Sequence, residues 1–194
     1  MSGLLPVVKK LRMIAWEWTK ASLEGIASDL GLVDPTTGSD RWIGYRSPDP
    51  GFPSPDPDYP GDLMEHPYGF SFRGQDVAHF HLTLGAVDMG EVCLYESDRY
   101  NDVCEQKHAE FKANFNKAMK QITTVLGKPV FQGGPDDAGS RAAYPIGWGG
   151  ELAAVWQLTN ARLILVYGQE DKELPILLDL FICPPLGDRQ RDYP

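Results

Sequence analysis

The sequence predicts an α+β protein in which an antiparallel sheet packs against helices. Residues 152–183, LAAVWQLTNARLILVYGQEDKELPILLDLFIC, read as three apolar runs separated by polar turns, the pattern of a meander over about 153–182. Just before it, Phe111, Phe115, Ala118, Met119, Ile122, Val125 and Leu126 recur at helical spacing, so a long amphipathic helix over about 103–126 can lie across that sheet. A third signal is the pair of runs Val77–Leu84 and Glu91–Glu96, bounded by Gly85 and Gly90, which predicts a hairpin over about 77–96.

In chain order, Leu4–Met13 fits either a strand or a helix. Its lysines follow a short apolar run with no small-residue cleavage site, an order that does not fit a secretory leader. Thr19 can cap a helix over about 20–30, with Leu23, Ile26, Ala27 and Leu30 on one face and Gly31 as the stop. Trp16 and Trp18 just ahead of it are expected to pack, since large aromatics carry core area. Arg41–Arg46, RWIGYR, reads as a short strand.

Then comes SPDPGFPSPDPDYPGDLMEHPYG, where repeated prolines fix φ and remove backbone donors, so neither a helix nor a central strand can form. This predicts a long acidic loop inserted at about 47–68. Between Arg46 and Arg73 there is no lysine or arginine, while Asp49, Asp56, Asp58, Asp62 and Glu65 supply five negative charges. Proline stiffening lowers the entropy lost on binding, and Phe52, Tyr59 and Tyr68 offer contact area.

After the insertion, alternation puts Phe80, Leu82 and Leu84 on one strand face and His79 and His81 on the other with Val77 and Thr83. Asp102 and Glu105 have capping-box spacing at the start of the long helix, and Gly127 with Pro129 ends it. Lys107, Lys112, Lys117 and Lys120 give that helix a basic outer surface. A glycine-rich link carrying Trp148 leads to the meander. There Arg162–Tyr167 is apolar on both faces and needs two covers, one from the long helix and the other from the N-terminal helix. Pro175 fits an edge position or a strand end. The chain reads as one domain over 1–187 with a flexible tail at 188–194.

The 194 residues suffice for one domain with a sizeable core, and 16 prolines and 20 glycines call for long or numerous loops. A net charge of −9 argues against nucleic acid or an anionic membrane as partner, because phosphate binding needs a basic patch. No apolar run is long enough to span a bilayer. Cys93, Cys104 and Cys183 are an odd count without a C-x-x-C pair, which fits reduced thiols in the cytoplasm.

Spacings that force a mechanism are missing. Gly127-Lys128 runs into Pro129 rather than into the hydroxyl of a phosphate loop, and no H-E-x-x-H is present. Two weaker constellations remain. His79 and His81 can share a metal if a carboxylate such as Asp76 or Glu91 joins them. Cys104, in the expected first turn of the long helix, would be favoured as thiolate by the helix dipole, with His108 one turn along.

The succession of a long helix ending in Leu126-Gly127-Lys128-Pro129, a glycine-rich link with Trp148, and a Trp156-to-Ile182 meander resembles small immunity proteins of bacterial polymorphic or contact-dependent toxin systems. The resemblance rests on element order over roughly the last ninety residues; the acidic insertion is not part of it. It implies a non-catalytic inhibitor that binds a cognate toxin or effector more basic than itself, with no cofactor and no metal. The expected contact residues are Asp49, Phe52, Asp56, Asp58, Tyr59, Asp62 and Glu65. The alternatives are a small metal- or thiol-dependent enzyme using His79/His81 or Cys104, and a structural or chaperone-like module binding through the basic helix.

Overall fold

In the computed structural model the chain is described over residues 4–39, 42–46, 68–73, 76–89, 100–138, 140, 150–169, 171 and 174–185. Helix α1 (Leu4–Met13) is followed by a 3-10 turn at Lys20–Ser22, helix α2 (Leu23–Leu30), and strands β1 (Val33–Ser39), β2 (Trp42–Arg46), β3 (Tyr68–Arg73) and β4 (Asp76–Val87). Helix α3 (Tyr100–Leu126) then leads to β5 (Phe131–Gly133), β6 (Leu152–Gln157), β7 (Arg162–Gly168) and β8 (Ile176–Cys183). The strands form one eight-stranded sheet in the order β1-β2-β3-β4-β8-β7-β6-β5, every pair antiparallel. The α+β class is therefore as expected, with the meander and both helices in place.

Alternation along the strands sorts the side chains onto two faces. Phe70, Phe80, Leu82, Ala154, Trp156, Leu163, Leu165, Tyr167, Leu178, Leu180 and Ile182 join the buried faces of α1, α2 and α3 in one core cluster. Leu4, Val7, Val8 and Leu11 come from α1, Ile26, Ala27 and Leu30 from α2, and Phe111, Phe115, Ala118 and Ile122 from α3. The opposite face holds a second cluster, Ala153, Val155, Ile164, Val166, Phe181 and Cys183, in which no described helix takes part. The expectation that the N-terminal helix would supply a second cover for β7 is thus corrected. Its apolar stripe meets the same sheet face as α3.

Other boundaries move for local reasons. Leu4–Met13 is a helix because its apolar residues recur at intervals of three and four. The N-terminal helix starts after the 3-10 turn, with Ser22 rather than Thr19 at the N-cap. Ser22 Oγ turns back to Glu17 O at 2.5 Å and Thr19 O at 2.8 Å instead of capping. Its end matches the expectation: Gly31 takes φ 73°, and the Gly31 and Leu32 amides bond back to Ser28 O and Ala27 O, a Schellman closure. Helix α3 begins at Tyr100, so Asp102 lies inside its first turn and is not the cap.

The expected 77–96 hairpin is also revised. From Phe80 to Leu82 both edges of β4 are occupied, by β3 on one side and β8 on the other. Residues 91–96 lie outside the described residues. A bulge between Thr83 and Gly85 lets β4 continue to Val87, and it turns Gly85 toward α3, where a Cβ would stand 3.6 Å from Phe111. Strand β8 is internal, so Pro175 marks a strand end and not an edge.

Polar side chains fix how the helices sit. Trp156 Nε1 donates to Gly127 O at 3.0 Å and Arg12 Nη1 to Val125 O at 3.1 Å, supplying donors to carbonyls that the end of α3 leaves open. Trp18 Nε1 donates to Asn160 O at 2.9 Å while Asn160 Nδ2 donates to Trp16 O at 2.7 Å, which ties the α1–α2 link to the β6–β7 turn. Trp16 and Trp18 stack at 5.4 Å. No described helix is long and apolar enough to cross a membrane.

Phe115 is 1% exposed between α3 and the sheet, whereas Met13 is 82% exposed. Phe115→Ala is expected to cost about 3–5 kcal/mol in urea unfolding, and Met13→Ala to stay within about 0.5 kcal/mol of the parent. Equal costs would contradict the assignment of the helical face as the main core.

Candidate functional site

Since all strand pairs are antiparallel, the connections divide between two ends of the sheet. At one end, β1–β2, β3–β4 and β6–β7 are joined through residues 40–41, 74–75 and 158–161. At the other, the links are 47–67, 134–151 and 169–175, and 88–99 leads away to α3. These can be called the turn end and the loop end. Residues 47–67 join β2 to β3, which are adjacent, with Tyr45 paired to Tyr68. A two-residue turn can close such a pair, so the insertion is not required by the fold.

Charge follows the same division. Residues 47–67 carry five acids and no lysine or arginine; 88–99 carry four acids against Arg99; 134–151 carry three against Arg141; and 169–175 carry three against Lys172. Fifteen acids against three bases make a net −12 in the connections that leave the loop end. The whole chain is −9, so the remainder is net +3. The expected contact residues Asp49, Phe52, Asp56, Asp58, Tyr59, Asp62 and Glu65 lie outside the described residues. What the structure places is Arg46 and Tyr68, where their segment leaves and rejoins the sheet.

At the loop end α3 is clasped to the sheet by a polar cluster. His108 Nδ1 lies 2.6 Å from the Tyr167 hydroxyl and 2.9 Å from Glu151 Oε1, and His108 Nε2 lies 3.2 Å from Gln169 Oε1. Gln169 Nε2 donates to Leu174 O at 2.6 Å, which turns its Oε1 toward the imidazole. Burial, reinforced by the hydrogen bond to Glu151, pushes the Tyr167 hydroxyl above its ordinary pKa, so it stays a neutral donor. The cluster thus joins α3, the entry to β6, the end of β7 and the approach to β8.

This arrangement revises the Cys104–His108 pair. Helix α3 starts at Tyr100, so Cys104 is its fifth residue and lies past the first turn, where a dipole acts most strongly. Cys104 is half-buried against the core, and both ring nitrogens of His108 face partners from other elements. Nucleophilic catalysis needs the imidazole lone pair directed at the thiol, and here Nε2 faces the Gln169 side-chain oxygen while Nδ1 faces the Tyr167 hydroxyl and Glu151, so neither ring nitrogen is turned to Cys104. Among the basic residues of α3, Lys107 lies 3.3 Å from Glu110.

The second sheet face carries an unusual amount of buried polarity. His79 and His81 keep an intermediate exposure, yet protein packed around their rings lowers their pKa values to about 4 and about 3, and in His81 the neighbouring His79 adds to the effect. Asp179, paired in register with Thr83 on β4 and Val166 on β7, is 3% exposed, and its Oδ1 has no hydrogen-bond partner. Burial raises its pKa to about 7 against the opposing hydrogen bond of Thr83. Arg162 Nε donates to Pro184 O at 2.9 Å, and burial pushes the adjacent Cys183 thiol up to about 12 despite the pull of Arg162. No group of three or more metal-ligating side chains occurs among the described residues.

Comparison with protein-family models, curated proteins and solved structures finds no match. The residues that sequence reasoning missed are Tyr167, Glu151, Gln169 and Asp179. Tyr167 had a signal in its alternation with Leu163 and Leu165, which placed its hydroxyl on a sheet face. The convergence of the others depends on strand order.

Tyr167→Phe removes a buried hydroxyl from the clasp and is expected to cost about 1–3 kcal/mol in urea unfolding. The second face sets an opposed pH dependence. Both histidines are harder to protonate folded than unfolded, so their contribution is present above about pH 6.5 and is lost as pH falls through about 4 and 3. Asp179 has the reverse sign: its raised folded value gives a contribution in place at low pH that disappears as pH rises through about 7. Two histidines against one carboxyl leave stability falling with acid by about 1.4 kcal/mol per pH unit between pH 6 and 4.5. Over the same range Asp179→Asn should steepen that fall to about twice the slope; an unchanged slope in urea titrations would show that Asp179 ionises as freely folded as unfolded.

Proposed function

We propose that this chain is a non-catalytic binding protein of the immunity type, neutralising a cognate bacterial toxin or effector that is more basic than itself, in the cytoplasm. The observation that carries this reading is that the acidic connections all depart from one end of the sheet. Connections with a net −12 depart from the loop end, and the most acidic of them is inserted between adjacent strands that do not need it. Such a field attracts a basic partner over roughly a Debye length, about 8–10 Å at physiological salt, and accelerates encounter by about 10- to 1,000-fold.

Two further points support it. Of the residues on which an enzyme was conceivable, His108 is engaged in the clasp and Cys104 packs against the core. The order of long helix, glycine-rich link and meander resembles that of immunity proteins, and the acidic insertion supplies Phe52 and Tyr59 as contact area beside its carboxylates.

The test is binding to the product of the adjacent gene, measured by surface plasmon resonance at two salt concentrations, with an assay of toxicity. Neutralising Asp56, Asp58 and Asp62 together to Asn is expected to lower the association rate by about tenfold at low salt. The effect should shrink at 0.5 M salt, with less change in dissociation. Failure to bind or neutralise that product would overturn the proposal, and binding indifferent to both salt and the substitutions would remove the loop end from it.

A further inference from the structure

We propose that His108 carries a proton on both ring nitrogens in the folded chain at neutral pH, so that an imidazolium pins the first turns of α3 to the sheet and loosens its hold when that proton is lost. This device does not depend on the binding function above.

The hydrogens around the ring can be counted from its partners. His108 Nε2 lies 3.2 Å from Gln169 Oε1. That amide is oriented by Gln169 Nε2, which donates to Leu174 O at 2.6 Å; turned over, it would set two oxygens against each other. An amide oxygen only accepts, so Nε2 must hold a hydrogen. In a neutral ring Nδ1 is then bare. Yet Nδ1 lies 2.9 Å from Glu151 Oε1, and a carboxylate also only accepts. A second proton on the pair removes this clash of lone pairs. It resides on the nitrogen, because imidazole is a stronger base than a carboxylate by about two pKa units. The 2.9 Å separation falls within the range of charge-assisted N–H···O bonds, about 2.7–2.9 Å.

The Tyr167 hydroxyl fits the charged ring as well. It lies 2.6 Å from Nδ1 and can either donate to a bare nitrogen or accept from an N–H. Its own proton has two other acceptors, His108 O at 3.3 Å and the Glu151 carboxylate. With an imidazolium, Nδ1–H is shared between Glu151 and the hydroxyl oxygen, and the hydroxyl proton goes to one of those acceptors. Every polar atom that meets the ring then has a partner. With a neutral ring, Tyr167 satisfies Nδ1 and Glu151 loses the donor beside it.

Among the described residues, the titratable groups that meet the ring from other elements are Glu151, at the entry to β6, and Tyr167 on β7. On α3 itself Cys104 and Lys112 stand one turn to either side and Glu105 three residues before. Lys112 is exposed, and Lys107 lies 3.3 Å from Glu110. The one ion in contact with the imidazole is therefore an anion. The Glu151 side chain is 49% exposed, so it can turn to water once the ring is neutral, which leaves α3 with the Tyr167 and Gln169 contacts alone. A proton held more firmly folded than unfolded stabilises at low pH, and that contribution is lost as pH rises.

The experiment is long-range ¹H–¹⁵N NMR of the imidazole rings in the full-length chain at pH 7.5, with the His108 signals assigned by their loss in His108→Gln. A solvated imidazole is about nine-tenths neutral at that pH and shows one pyridine-type nitrogen. We expect His108 to show two protonated nitrogens. Glu151→Gln keeps the shape of the side chain and removes its charge, and it should restore a pyridine-type Nδ1. In the same variant amide exchange at residues 104–108 should be faster by about tenfold, as one charge-assisted bond is lost. A pyridine-type nitrogen in His108 of the parent chain, or two ring protons that persist in Glu151→Gln, would overturn the charged state. Unchanged amide exchange in a Glu151→Gln chain whose ring has become neutral would overturn the pin.

Discussion

Strand β7 has no residue that faces water, and this constraint organises the rest of the structure. All seven of its residues are buried, so it needs a cover on each face and a hydrogen-bonded neighbour on each edge. The edges are met by β6, paired residue for residue from Arg162 to Tyr167, and by β8, paired from Arg162 to Gly168. An internal strand of this kind places the meander in the middle of the sheet. It also pushes the strands with weaker apolar character, β1 and β5, to the margins. Among the described residues these are the edge strands, and β5 is only three residues long while β1 contains Pro35, both of which discourage further pairing.

All described helices gather on one face because their stripes match it. Phe111, Phe115, Ala118 and Ile122 fill the sheet surface made by Leu163, Leu165, Leu178 and Leu180, and α1 and α2 extend that layer. The opposite face is buried too, but it carries His79, His81, Thr83, Arg162 and Asp179 among its apolar residues. Its polar groups are shielded from water: imidazoles whose protonation burial opposes, and a carboxyl with one oxygen lacking a partner. The helical face therefore supplies most of the stability, while the second face contributes the groups whose protonation responds to pH. The loop end is a third region, from which the connections that carry most of the acidic residues leave the sheet.

Much of this was legible in the residues, and the exceptions have identifiable causes. The long helix and the three meander strands were readable because their apolar residues repeat at 3.6 and 2 over many positions. The stop at Gly31 was readable because only a residue tolerant of positive φ closes a Schellman turn easily. Strand β1, VDPTTGS, was not, since proline and glycine argue against a strand; it exists through its pairing with β2. The start of α3 was misplaced because Asp102 mimics a cap from inside the first turn. His108 was noticed beside Cys104, its neighbour on the helix. Its actual partners, Glu151, Tyr167 and Gln169, come from residues 43 to 61 positions away and meet it only through the sheet order.

By itself, then, the sequence determined the fold class, the two main apolar elements, the acidic character of the chain and the exclusion of the familiar phosphate and zinc motifs. Each of these follows from local pattern, composition or spacing along the chain. The tertiary structure decided which strands are neighbours, that β4 joins β8, that the helices share one face, and that the acidic connections leave from the same end. These are contacts between distant segments, selected by the burial of β7 and β8 on both sides, and no periodicity within a single segment encodes them.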